Sequence, residues 1–168
     1  MSSLNKAVNE YKIQLQKGEI ITAYQGLMAY FNSLRTHFQK AYPHYKVPSN
    51  IYYGYMDMTY FAIIPESFQE RGLKVALVFP HQEFRFEAWL AARNKKVQAQ
   101  VWGGIQSSGW TKYPLVPQGV GVDGILFHIL TAEPDFSDLP ALTNQIETQA
   151  LSFIQNLEDF LPQLDRFL

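Results

Sequence analysis

Between Leu73 and Leu90 the chain alternates twice. Leu73, Val75, Leu77 and Phe79 are apolar at every second position; Pro80-His81-Gln82-Glu83 interrupts the run; Phe84, Phe86, Ala88 and Leu90 resume it. Successive side chains of an extended strand point to opposite faces, so each run is a strand with one apolar side. Pairing Phe79 with Phe84 sets Leu77 opposite Phe86, Val75 opposite Ala88 and Leu73 opposite Leu90. All eight side chains then share one face, which is the core. The opposite face carries Lys74, Ala76, Val78, Arg85, Glu87 and Trp89, too polar for a plain core and too apolar for a plain wet surface.

The segments on either side follow other periods. Leu4, Ala7, Val8, Tyr11 and Leu15 recur at helical spacing, with Ser2 or Ser3 as cap and Gly18 as stop. Ile20, Ala23, Tyr24, Leu27, Phe31, Leu34 and Phe38 continue at three and four, predicting a helix from Glu19 to about Ala41, ended by Pro43. Together these make a helical hairpin. Its apolar stripe is buried on the sheet or, as the alternative, against a second copy in a homodimer.

Ile51 to Ile64 is rich in aromatic and β-branched residues and reads as a strand, with Gly54 as a bulge or turn. Within it Asp57 stands between two methionines, either solvated at the strand mouth or buried and paired. Pro65 to Gly72 is a polar connection with room for one helical turn. After the hairpin, Asn94 caps a helix running to about Trp102, with Gly103-Gly104 as its end. Ile105 to Val122 is an irregular loop long enough to suggest a function or anchoring by aromatics. Ile125 to Leu130 is a fourth strand, apolar enough to lie centrally, of undetermined direction. Ser137 or Asp138 opens a last helix striped by Leu142, Ile146, Ala150, Phe153 and Leu157. The order ααβββαβα predicts an α+β fold: one domain over residues 1–168, with a mainly antiparallel sheet of about four strands.

The 168 residues are 47% hydrophobic and 17% charged, which supports a real core and excludes a disordered chain. With no cysteine, disulfides, thiolate metal sites and Cys nucleophiles are excluded. No apolar run suits a membrane span and no signal pattern opens the chain, so the expectation is a soluble cytoplasmic protein. Residues 1–122 carry 13 Lys/Arg against 7 Asp/Glu, and residues 123–168 one Arg against 8 acids. No dense basic cluster accompanies this asymmetry, so nucleic acid is not the expected partner.

Named motifs fail on context. Gly119-x-Gly121-x-x-Gly124 has dinucleotide-loop spacing but enters a strand rather than a helix. His81-Gln82-Glu83 lacks the cysteine pair of a zinc deaminase, and His81 reads as an exposed turn residue. Asp57, Glu83 and Glu87 imitate the acids of a restriction-type nuclease. The lysine is missing, however, and Arg85 is a poor base in its place. A divergent metal-dependent nuclease or hydrolase is the alternative on these acids. The favoured expectation is a non-enzymatic ligand-binding or interaction domain without cofactor or metal. Its site lies on the mixed sheet face and uses Asp57, Tyr60, Arg85, Glu87, Trp89 and His128. Tyr52, Tyr53, Tyr55, Trp102 and Trp110 are further aromatics able to line a groove. A third reading makes the N-terminal helices a protein-interaction surface.

The strings Tyr52-Tyr53-Gly54-Tyr55-Met56-Asp57-Met58-Thr59-Tyr60-Phe61 and Phe84-Arg85-Phe86-Glu87-Ala88-Trp89-Leu90-Ala91 carry a resemblance, with Leu4 to Gly18 and Glu133-Pro134-Asp135-Phe136. Together they resemble a small bacterial family described only as a domain of unknown function. The resemblance implies a single-domain cytoplasmic protein and supplies no activity, ligand or catalytic residue.

Overall fold

The computed structural model describes residues 3–168. It divides into two compact units, one ending at Leu34 and one from Arg35 onward. In the first, α1 (Leu4–Lys17) is capped by Ser3, whose hydroxyl accepts from the Lys6 N–H at 3.3 Å. The alternative cap, Ser2, lies outside the described residues. Gly18 takes φ +83°, a left-handed conformation that glycine adopts without strain, and ends α1 directly before α2 (Glu19–Ala41). None of the side chains of α1 is buried.

The second unit holds the sheet. Strands β1 (Met58–Ile63), β2 (Leu73–Pro80), β3 (Phe86–Ala92) and β4 (Gly124–Thr131) pair antiparallel in the order β1-β2-β3-β4. The last strand, undetermined from sequence, runs antiparallel to β3. The fold is α+β, as the periodicities predict.

The registers define two faces. Ile63, Val75, Leu90 and Leu126 lie in one cross-strand row, and Phe61, Leu77, Ala88 and His128 in the next. This face is the core. Helix α5 (Leu139–Leu164) lies against β3 and β4 and puts Phe153 against the rings of Tyr113 and His128. Phe38, in the last turns of α2, meets Phe61. Helix α4 (Lys95–Ser108) packs against α5, and the one-turn α3 (Glu66–Gln69) against β2. The other face alternates with it: Ala62, Ala76, Trp89 and Phe127 form one row, and Tyr60, Val78, Glu87 and Ile129 the next.

Three local expectations are corrected. The hairpin pairs Leu77 with Ala88 and Val75 with Leu90, two residues away from the expected register. The faces survive because the shift is even, but the connection lengthens to His81–Arg85. Phe84 causes this. Its N–H bonds back to Pro80 O at 2.9 Å and its φ is +52°, so it closes the turn, exposed, instead of joining the ladder.

The stretch 51–64 is not one strand. Only Met58–Ile63 is ladder; Tyr52 folds back to bridge Tyr60 and Lys46 bridges Ile64, shielding the outer edge of β1. Helix α4, for its part, runs through Gly103-Gly104 to Gly109. A Cβ on Gly104 would stand 2.9 Å from a Leu164 methyl, so this glycine serves the packing of α4 on the end of α5 rather than stopping the helix. Among the described residues no helix is long and apolar enough to cross a membrane.

Candidate functional site

Glu87 is where the mixed face departs furthest from an ordinary surface. Only 5% of its side chain is exposed, yet it is an acid in a central strand. Burying a charge is costly unless it is paired and hydrogen-bonded. Here both oxygens are engaged. Arg85 brings Nε and Nη2 to Oε1, each at 2.6 Å, and Trp89 donates its indole N–H to Oε2 at 2.6 Å. Glu87 and Trp89 stand at alternate positions of β3, so the strand period puts them on one face, and Arg85, the last residue of the connection, reaches Glu87 from two residues before. Register shifts in the β3–β4 ladder, after Phe86 and after Leu90, bracket this segment. Bulges of that kind re-aim side chains beside functional sites.

The turn before β1 supplies a second wall. Asp57 is exposed, and its Oδ1 accepts the Tyr55 N–H at 2.8 Å. Backbone N–H bonds from Tyr55 and then Met58 hold its carboxyl below the usual aspartate range, so it is an anion at neutral pH. Gly54 makes the turn possible: at φ +74°, a Cβ would fall 2.1 Å from Met58 O and 2.4 Å from the Asp57 carboxylate. The same turn holds His81. Its backbone N–H bonds Asp57 O, and its Nε2 lies 2.9 Å from the hydroxyl of fully buried Thr59. That hydroxyl donates to Tyr53 O, so His81 Nε2–H is the donor to it. Burial pushes the imidazole below its ordinary value, with the Asp57 charge working the other way. His81 is therefore half-buried and tied to β1 rather than the exposed turn residue its flanking sequence suggests.

The third wall is the loop between α4 and β4, fixed by side chains of α4. Gln98, 5% exposed, donates to Val122 O at 2.9 Å, and Trp102 donates its indole N–H to Val116 O at 2.8 Å. Gln118 donates to Val116 O and Gly124 O, and Lys95 pairs with Asp123 at 2.8 Å. Asn94 caps α4 through the Val97 N–H and so places Lys95 and Gln98 on the first turn.

Together these walls enclose a cavity of about 430 Å³. Asp57, Met58, Pro80, Glu83, Arg85, Glu87, Trp89 and Phe127 line it from the sheet side, and Val116, Pro117 and Gly121 to Gly124 from the loop. Of the residues expected from sequence, Asp57, Arg85, Glu87 and Trp89 meet here, with Glu83. Tyr60 shares the sheet face but sits on β1, two strands from Glu87, and does not line the cavity.

His128 is on the opposite face, because its partner Ala88 belongs to the core row. There it bonds Gln149 at 3.0 Å and packs on Tyr113 and Phe153. Tyr52, Tyr53 and Tyr55 are exposed, and Trp110 stacks on Phe160. Among the described residues no three of His, Asp and Glu gather in a way that could hold a metal ion.

Residues 4–161 match the model of a family described as a domain of unknown function, DUF7000. The chain belongs to this family. Neither curated proteins nor solved structures give a match.

The part of this DUF7000 member's site that residue chemistry does not announce is the loop wall. Val116, Pro117 and Val122 carry no reactive group. Their only signal in the sequence is the length and the Gly/Pro content of the segment. The anchors Gln98 and Gln118 read as ordinary polar residues until the loop folds over them. A second polar cluster lies apart from the cavity lining. Tyr42 donates its hydroxyl to Glu147, and His37 Nε2 stands 3.0 Å from the same carboxylate. Burial first, then the Glu147 bond and charge, push the Tyr42 phenol up to about 12. Burial works to raise Glu147, but the bonds from Tyr42 and His37 outweigh it and its pKa falls.

Proposed function

We propose that this DUF7000 protein binds a small organic molecule in the cavity over β3 and acts as a binding protein. One observation carries the reading: a preformed cavity of about 430 Å³ whose apolar walls surround polar groups already locked in place. Ligand sites typically span roughly 300–1,000 Å³, with mostly apolar linings and a few fixed polar groups. Trp89 and Phe127 supply aromatic surface, the Arg85–Glu87–Trp89 chain holds one end rigid, and the loop wall is anchored from α4. The lining offers carboxylates and one guanidinium but no hydroxyl, thiol or imidazole nucleophile among the described residues.

A fragment screen read by amide and indole NMR tests this. Binders are expected to shift the Trp89 indole N–H and the backbone amides of 121–124. If no fragment moves those signals, or if binders move only signals elsewhere, the reading fails.

The first unit supports a second reading, a homodimer formed through α1. Leu4, Val8, Tyr11 and Ile13 are all about half or more exposed on a helix of 14 residues with no buried side chain. Isolated helices of that length are marginal in water, so burial against a second copy would stabilise it. Sedimentation of the full chain and of Val8→Glu/Ile13→Glu decides: a dimer that the variant reduces to monomer supports the reading, and a monomer in both ends it.

A further inference from the structure

The cavity's polar groups are unequal in number and in engagement, and this bears on what it holds. Four carboxylates line it, from Asp57, Glu83, Glu87 and Asp123, against the one guanidinium of Arg85. Arg85 is committed to Glu87 at 2.6 Å and Lys95 offsets Asp123 at 2.8 Å. That leaves Asp57 and Glu83, both exposed and neither in an ion pair among the described residues. The Asp57 turn keeps its carboxylate ionised well into the acid range. Apart from these charges the walls are the backbone of Gly121 and Gly124 and the apolar surfaces of Trp89, Phe127, Met58, Pro80, Val116, Pro117 and Val122.

We propose that the cavity selects organic cations: an ammonium group carried on an apolar or aromatic body. The inference rests on the ligand-binding reading above and adds the ligand's charge. The body lies along Trp89, Phe127 and the Val116–Pro117 wall. The ammonium meets the carboxylates of Asp57 and Glu83, the two lining acids that no ion pair offsets. Aromatic faces also attract a cation directly, and Trp is the strongest of them. An anionic ligand meets the opposite situation, because the guanidinium of Arg85 is already taken by a carboxylate and, among the described residues, no other cation lines the cavity. A bare metal ion finds no cluster of three His, Asp or Glu among the described residues.

Three probes with one phenylethyl body separate charge from shape: 2-phenylethylamine, 2-phenylethanol and 3-phenylpropanoate, titrated into the full chain at neutral pH and followed at the Trp89 indole N–H. The amine is expected to bind about tenfold more tightly than the alcohol, and the acid more weakly than either. The preference should shrink as salt rises, because both carboxylates are exposed. In the double variant Asp57→Asn/Glu83→Gln, amine and alcohol should bind within about twofold of each other. The asparagine side-chain oxygen still accepts from the Tyr55 N–H, so the turn is preserved.

Equal binding of all three probes, or tightest binding of the acid, overturns the cation preference and leaves the cavity a ligand site. Amine selectivity that survives the double variant also overturns it. If no probe moves the Trp89 indole, the inference and the ligand-binding reading fail together.

Discussion

The two faces of β3 use the same strand to opposite ends. Ala88 and Leu90 point into the core rows, where Phe61, Val75, Leu77 and Leu126 meet them and α5 closes over β3 and β4. Glu87 and Trp89, one residue out of phase, point to a face where, among the described residues, strand and loop residues line a cavity. The core face satisfies itself with apolar contact. The other face leaves space and then fixes the polar groups around it, with Arg85 and Trp89 saturating Glu87 and α4 side chains pinning the loop. A strand can thus build the core with its even positions and line a cavity with its odd ones, provided the buried acid among them is fully hydrogen-bonded.

The sharpest way to break this contrast is to damage the core face. Phe153→Ala removes a fully buried ring packed on Tyr113 and His128. It should cost about 3–5 kcal/mol, read from urea denaturation. The Glu87→Ala change should cost less, about 2 kcal/mol, because Arg85 is 29% exposed and can rehydrate. It should also free the Trp89 ring, visible as a displaced indole N–H resonance. If Glu87→Ala is as costly as Phe153→Ala, the two faces are not different in kind.

A gentler test touches the loop wall alone. Asn94→Ala removes the α4 cap at about 1 kcal/mol. It should loosen residues 116–124 in hydrogen exchange before it affects the strands.

The smallest effect concerns the Tyr42–Glu147 cluster, away from the cavity lining. The folded-state pKa of Tyr42, about 12, lies above its ordinary 10.0. The unfolded chain therefore ionises first, and stability should fall as pH rises from about 10 through about 12. For Glu147 the lowered value acts oppositely: its contribution is present above the ordinary glutamate value and is lost as pH falls through the folded one. Tyr42→Phe should reduce the alkaline slope, to which Tyr45 and Tyr52, also held above the ordinary tyrosine value, still contribute, without changing ligand binding; denaturation across pH checks it.

Much of the fold was legible because period two and helical spacing are written in side-chain type. The strands β2, β3 and β4, both N-terminal helices and α5 fall within a few residues of where their patterns put them. What pattern could not show was set by single residues in special roles. Phe84 looks like the next core residue of its run, but the bond from its N–H to Pro80 O takes it out of the ladder and shifts the register. Gly103-Gly104 looks like a helix stop, but Gly104 is there for Leu164.

The candidate site divides in the same way. Asp57, Arg85, Glu87 and Trp89 could be picked out as charged or aromatic residues on strands that share a face. His128 looked equivalent, but the pairing of β4 with β3 puts it on the core side, and strand pairing is not readable from composition. The loop wall shows in the sequence only as a long Gly/Pro-rich segment, because backbone carbonyls and valines, not reactive side chains, build it.

The most direct test of the central claim, that the Glu87–Trp89 face is the binding face, is an intermolecular NOE map with 2-phenylethylamine. Contacts are expected from the bound phenyl ring to the ring protons of Trp89 and Phe127 and to Val116, with the ammonium-bearing methylene nearest the Asp57 turn. Contacts to Tyr113, Phe153 or α1 instead, with none to Trp89, would contradict it.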